Sequence, residues 1–169
     1  KTNTASNLIQ VQEKTKTELD VAKEIQMATL PTEFVTSEDV EIQAELKAAK
    51  SVGGDFYDYF LLDSDHIALV IADVSGKGIP AAMFMMKTIT CFRNCVSIDK
   101  TPEEVLREVN RIINKGNDSN MFVTCFYAVI NTKTGEMQFA NAGHNPPVVG
   151  QKQNYQFLKC KPGFVLGPL

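Results

Sequence analysis

Asp55 and Asp73 are the residues of this chain best placed to do chemistry together. Two aromatic and β-branched stretches, residues 55–62 and 66–73, are separated by the turn formers Asp63, Ser64 and Asp65. A hairpin closed at that turn pairs Leu62 with His66. Counted backwards, the same register sets Asp55 opposite Asp73 at the open end. Facing Cβ atoms lie about 5 Å apart there, and like charges so placed destabilise a sheet. A divalent cation offsets the repulsion, and hard ions such as magnesium or manganese prefer carboxylate oxygens. The plainer reading is that both aspartates end strands at a solvated edge. A slip of one residue would send them to opposite faces.

Glycines crowd the pair, Gly53 and Gly54 before Asp55 and Gly76 and Gly78 after Asp73. They let a backbone bend sharply and approach a ligand, although ordinary turn chemistry also accounts for them. The DVSGKG stretch at 73–78 is not a nucleotide-binding P-loop, because Gly78 stands where Ser or Thr should follow the lysine. Asp58 falls on the opposite face from Asp55. Lys50 and Lys77 are either attractors for a phosphoprotein or solvated surface lysines. His144 and Asn145, in a loop beside Pro146 and Pro147, read as packing or hydrogen-bonding residues rather than catalytic ones. Thr124 reads as structural and His66 as a turn residue. Cys91, Cys95, Cys125 and Cys160 form no CxxC pair and are accompanied by two histidines, so they read as reduced packing thiols rather than a zinc site.

The elements that must position these groups follow from pattern. Residues 8–30 hold no Gly or Pro and predict one helix, ended by Pro31. Leu8, Val11, Thr15, Glu18, Ala22 and Ile25 fall at heptad-like spacing, with Thr15 and Glu18 spoiling the seam. Either this helix packs on its own domain or it is a dimerising linker from an upstream sensor. Residues 40–46 alternate apolar and polar, which predicts a half-buried strand. Residues 79–96 predict a helix with Ala82, Met83, Met86 and Ile89 on its apolar face. A second helix begins at Thr101-Pro102, with Glu104 completing a capping box. It buries Val105, Val109, Ile112 and Ile113 and stops at Gly116. Residues 121–130 and 136–141 predict a hairpin around Gly135, and 156–159 a short strand. Hairpin-connected strands with two inserted helices make the class α+β with antiparallel sheet.

With 44% hydrophobic and 22% charged residues, the 169-residue chain is globular. A net charge of −3 with scattered Lys and Arg argues against nucleic acid as a partner. The longest apolar runs are too short to span a bilayer, and no signal-peptide pattern opens the chain. The expected location is the cytoplasm, either free or as part of a membrane-anchored sensor protein.

Four co-linear segments carry a resemblance. VGGDFYDYF (52–60), IADVSGKGIPAAM (71–83), MFVTCFYAVI (121–130) and ANAGHNPPVV (140–149) resemble bacterial metal-dependent protein serine/threonine phosphatases. The subgroup is that of the sporulation stage II phosphatase and the general-stress sigma-factor regulators. ELDVAKEIQMATLP (18–31) is similar to the helix that commonly precedes that domain. The resemblance implies a four-layer αββα sandwich over residues 32–169, preceded by a linker helix over 1–31. It further implies two or more manganese or magnesium ions at one end of the sheets. By position Asp73 matches the bridging aspartate, the carbonyl of Val74 the backbone ligand beside it, and Asp55 the acidic residue of the glycine turn. No side chain is then the catalytic nucleophile, since an ion-activated water attacks phosphorus. The implied substrate is a phosphoserine or phosphothreonine protein, of the anti-sigma-factor-antagonist kind in this subgroup, and a homodimer is expected.

The sequence departs from the family pattern in two places. Ala48 stands where a proline is usual. The chain stops at GFVLGPL (163–169), before the strands that supply a Thr-Asp-Gly motif and a final acidic ligand. Either the domain is cut short or the protein is a degenerate relative. The expectation is a fragment that binds metal weakly and hydrolyses phosphoester poorly. The rival function is a non-catalytic regulatory module of the same fold that binds protein partners.

Overall fold

The structure, a computed structural model, describes residues 2–36, 39–47 and 51–168. Its elements in chain order are helix α1 (Thr2–Thr29), strands β1 (Phe56–Leu61) and β2 (His66–Val74), helices α2 (Ile79–Cys95) and α3 (Pro102–Asn114), and strands β3 (Val123–Asn131), β4 (Met137–Ala142), β5 (Val148–Gln151) and β6 (Asn154–Phe157). Strands β1 to β4 form one antiparallel sheet in sequential order, and β5 and β6 form a separate hairpin. The class is α+β, as the patterning requires.

Strict alternation along β2 and β3 divides the sheet into two faces. Phe56, Ala68, Val70, Ala72, Val74, Val123, Cys125 and Tyr127 point to one side. There they meet Ala81, Met85, Ile89 and Phe92 of α2 and Val105, Val109 and Ile113 of α3 in one core. The opposite side presents Tyr57, Tyr59, Leu69, Ile71, Phe126 and Ala128. These line a cavity of about 380 Å³ together with Phe34, Ile42, Val148 and Val149. Phe34, residues 42–44 and β5 thus lie over that face. Helix α3 has the expected capping box, Thr101 accepting from the Glu104 N–H at 3.3 Å and Glu104 accepting from the Thr101 N–H at 2.8 Å.

Three expectations need correction. Residues 40–46 form no strand. Exposed and half-buried positions do alternate there, but among the described residues the only strand pairing is a single bridge from Thr36 to Glu41. Alternation encodes half-burial, whereas a ladder also needs a neighbour, and none of the described residues supplies one. On α2, Met83 is exposed and Met86 half-buried, while Ala81, Met85, Phe92 and Cys95 are buried. Lys87, Thr90 and Asn94 share the polar side of the helix with Met83, so the helical period itself sets Met83 outside. Strand β5 was not expected, and β6 begins earlier than expected. Its hairpin turns on Lys152 and Gln153, both at positive φ. That turn is normally signalled by Asn or Gly, so its residues conceal it.

Helix α1 starts nearer the N-terminus than expected and docks only by its last turns. Gln26 and Leu30 are buried, whereas Leu8, Ile9, Val11, Val21 and Ile25 are exposed. Lys50 and Ala48 lie outside the described residues.

Candidate metal centre

The β1–β2 register follows the count made from the turn. Asp63 Oδ1 accepts from the N–H groups of Asp65 and His66, each at 2.8 Å, and Leu62 N–H donates to His66 C=O at 2.9 Å. From there the ladder runs through Leu61–Ile67 to Phe56–Ala72, and the same register continued by one residue sets Asp55 opposite Asp73. Hydrogen-bonded and non-hydrogen-bonded rungs alternate, and position 55 continues the non-hydrogen-bonded set, whose side chains lie closer together. Both side chains are exposed at that end, and the Asp73 carboxyl lies close enough to act on Asp55. Partial burial first, and then the Asp73 carboxyl beside it, push Asp55 above its ordinary pKa.

Local structure explains the residues around the pair. A side chain on Gly54 would begin 2.9 Å from both Cβ and the carbonyl oxygen of Val74, and 3.3 Å from Ala81 Cβ. Only glycine lets the turn that carries Asp55 lie against the end of β2 and the start of α2. Val74 turns its side chain into the core. Two carboxylates and a neighbouring carbonyl are an all-oxygen donor set, of the type hard divalent ions take. Among the described residues, no third His, Cys, Asp or Glu completes a three-ligand group with them.

Asp58 faces the helices, as its parity requires. Its carboxylate is 5% exposed and accepts from Arg93 Nε at 2.7 Å, while Arg93 Nη2 donates to the Thr29 carbonyl at 2.6 Å. One guanidinium thus joins β1, α2 and the end of α1. A second tie runs from Gln26, whose amide donates to Gly53 C=O at 2.7 Å and accepts from Gly53 N–H at 3.0 Å. The last turns of α1 are therefore fastened to the turn that positions Asp55.

Sequence reasoning passed over one side of the site. Thr124 pairs with Asp73 across β2 and β3 and so shares its face. Its hydroxyl is 2.8 Å from His144 Nδ1. Asn141 accepts from His144 N–H at 2.8 Å and donates to His144 C=O at 3.0 Å, closing the loop on both sides of the histidine. The ring lies close enough to Asp55 for their charges to act on each other. Burial lowers the His144 pKa and the Asp55 charge partly opposes that, so the ring is neutral near pH 7. The available signal was the Asn141-x-Gly143-His144 spacing, a turn with glycine at φ 68°. Its direction toward Asp55 depends on the β3–β4 pairing. Lys77 is exposed, and His66 is held by Asp63 as a turn residue.

Residues 63–169 match the family described as Stage II sporulation protein E (SpoIIE). The chain belongs to the SpoIIE family. It is 36% identical over 159 residues to phosphoserine phosphatase RsbU of Bacillus subtilis, covering 93% of this chain and 47% of RsbU. It is 29% identical over 141 residues to phosphoserine phosphatase RsbP of the same organism, covering 81% of this chain and 34% of RsbP. The chain thus spans about half or less of the length of these relatives. Among solved structures, the SiaA-PP2C domain of Pseudomonas aeruginosa superposes with a TM-score of 0.75 at 21% identity, covering 93% of this chain and 64% of that one. That likeness shows a PP2C-type fold. In this SpoIIE-family chain, no helix among the described residues is long and apolar enough to cross a membrane.

Proposed function

We propose that this SpoIIE-family chain is the front part of a phosphatase domain that removes phosphate from phosphoserine or phosphothreonine on a regulatory protein. The observation that carries the reading is the β1–β2 register, which runs to Phe56–Ala72 and brings Asp55 and Asp73 close together at the open end of the hairpin. Such a pair costs stability when both groups ionise, and a function that places positive charge there accounts for it. Asp55, Asp73 and the Val74 carbonyl would hold divalent cations, manganese or magnesium. Bound there, they would supply an activated water and neutralise charge on the phosphoryl oxygens.

The chain's own residues contribute placement. Gly54 keeps the Asp55 turn against Val74, and Gln26 grips the same turn through Gly53. Residues 1–31 act in this proposal as the linker helix and 32–169 as the phosphatase domain. The exposed Leu8, Val11, Val21 and Ile25 suit a helix that pairs with a second copy and passes a signal from an upstream sensor. Similarity to the phosphoserine phosphatases RsbU and RsbP supports a phosphoserine substrate, and the resemblance to the sigma-regulator subgroup makes a protein of the anti-sigma-factor-antagonist kind our proposed example. We place the domain in the cytoplasm on that reading.

The test is manganese-dependent phosphate release from a phosphoserine protein, comparing the natural full-length chain with its Asp73→Asn variant. Release that needs manganese and collapses in the variant is the expected result. Absence of release from both, with partner binding retained, would favour a non-catalytic module of the same fold.

A further inference from the structure

His144 is held twice, for two different purposes. Asn141 fixes its backbone through both N–H and C=O, so the loop does not need the imidazole to keep its shape. The ring is fixed separately, by Thr124 Oγ1 at 2.8 Å from Nδ1. Thr124 in turn stands across from Asp73. Nε2 has no hydrogen-bond partner among the described residues, and the residue is only half-buried. A neutral imidazole carries one N–H, and its neighbour at the other nitrogen decides which. If Nδ1 donated to Thr124, Nε2 would be left as a bare lone pair, which repels an anionic ligand. If the threonine hydroxyl donates to Nδ1, the proton sits on Nε2, where an anionic ligand can accept it.

We propose that Thr124 sets His144 in the Nε2–H form and that this N–H donates a hydrogen bond to an oxygen of the phosphoryl group bound at the Asp55–Asp73 end. The inference rests on the phosphatase reading given above and adds to it a substrate-contacting residue. His144 is then the catalytic residue in this pair and Thr124 the positioning one. The ligand class is a phosphomonoester, whose oxygens accept hydrogen bonds while the carboxylate pair cannot donate them once ionised.

The experiment uses the natural full-length chain with magnesium. His144→Gln keeps a donor near the Nε2 position, whereas His144→Asn reproduces only the Nδ1 side. With a phosphoserine peptide, the Asn variant should lose about 10- to 100-fold in kcat/KM, the range for one hydrogen bond to a charged group, and the Gln variant should recover most of it. Long-range ¹⁵N–¹H correlation should show the His144 proton on Nε2, lost as the single form in Thr124→Val, with Nε2 shifting when inorganic phosphate is added. Melting temperatures of the variants identify any loss of fold. A His144→Asn enzyme as active as wild type, a proton found on Nδ1, or a Nε2 resonance indifferent to phosphate would each overturn the proposal. The Asp73→Asn control separates the two levels. Undiminished activity there removes the phosphatase site itself, whereas a dead Asp73→Asn beside an unaffected His144→Asn removes only the role of His144.

Discussion

Replacing Gln26 by alanine tests whether the end of α1 holds the candidate centre. The side chain is 4% exposed, and its amide makes both hydrogen bonds to Gly53, with a further contact to Met85 Sδ at 3.5 Å. Two such bonds contribute about 1 kcal/mol each, and a half-exposed Gly53 lets water recover part of the loss. The expected cost is about 1–2 kcal/mol, which for a domain of this size lowers Tm by roughly 3–6 °C. Because Gly53 lies two positions before Asp55, magnesium affinity should also fall about tenfold, the low end for residues that orient a ligand from behind. Gln26→Glu is the informative companion. It keeps the volume and the acceptor for Gly53 N–H but sets a carboxylate oxygen against the Gly53 carbonyl, so it should behave no better than alanine. Thermal melts and calorimetric magnesium titrations of the full-length chain read both quantities. A Tm within about 2 °C of wild type in both variants, with unchanged magnesium affinity, would refute the idea that α1 acts on the site through this amide.

Further outcomes follow from the carboxylate pair and from the core. Asp55 holds its proton more tightly folded than unfolded, so its contribution to metal-free stability is present below its ordinary pKa of 3.8 and is lost as pH rises through the raised value. Scanning calorimetry should therefore find that Asp73→Asn raises the metal-free Tm near pH 7 relative to pH 4 and abolishes stabilisation by magnesium; an unchanged magnesium response in the variant would contradict this. Tyr127 is fully buried beside Phe92, its hydroxyl has no partner among the described residues, and burial pushes its pKa up to about 12. Tyr127→Phe should stabilise the fold by about 1 kcal/mol, a Tm rise of roughly 2–4 °C, because it removes an unpaired polar group and keeps the ring. A fall in Tm would mean that the hydroxyl is satisfied after all.

The sequence by itself determined what short-range chemistry controls. Asp63, Ser64 and Asp65 close a turn through bonds two and three residues long, and from that turn the period of two carries the register out to Asp55 and Asp73. The Thr101–Glu104 box sets the start of α3 for the same reason, since both partners lie within one helical turn. Tertiary structure decided whatever depends on a neighbour distant in the chain. The alternating 40–46 segment acquired half-burial without a ladder, because pairing needs a second strand. Gln26 found Gly53, and Arg93 joined Asp58 to Thr29, across separations that no local pattern encodes. His144 is the clearest case: its spacing from Asn141 predicts a turn, but only the stacking of β2, β3 and β4 brings that turn to the carboxylates.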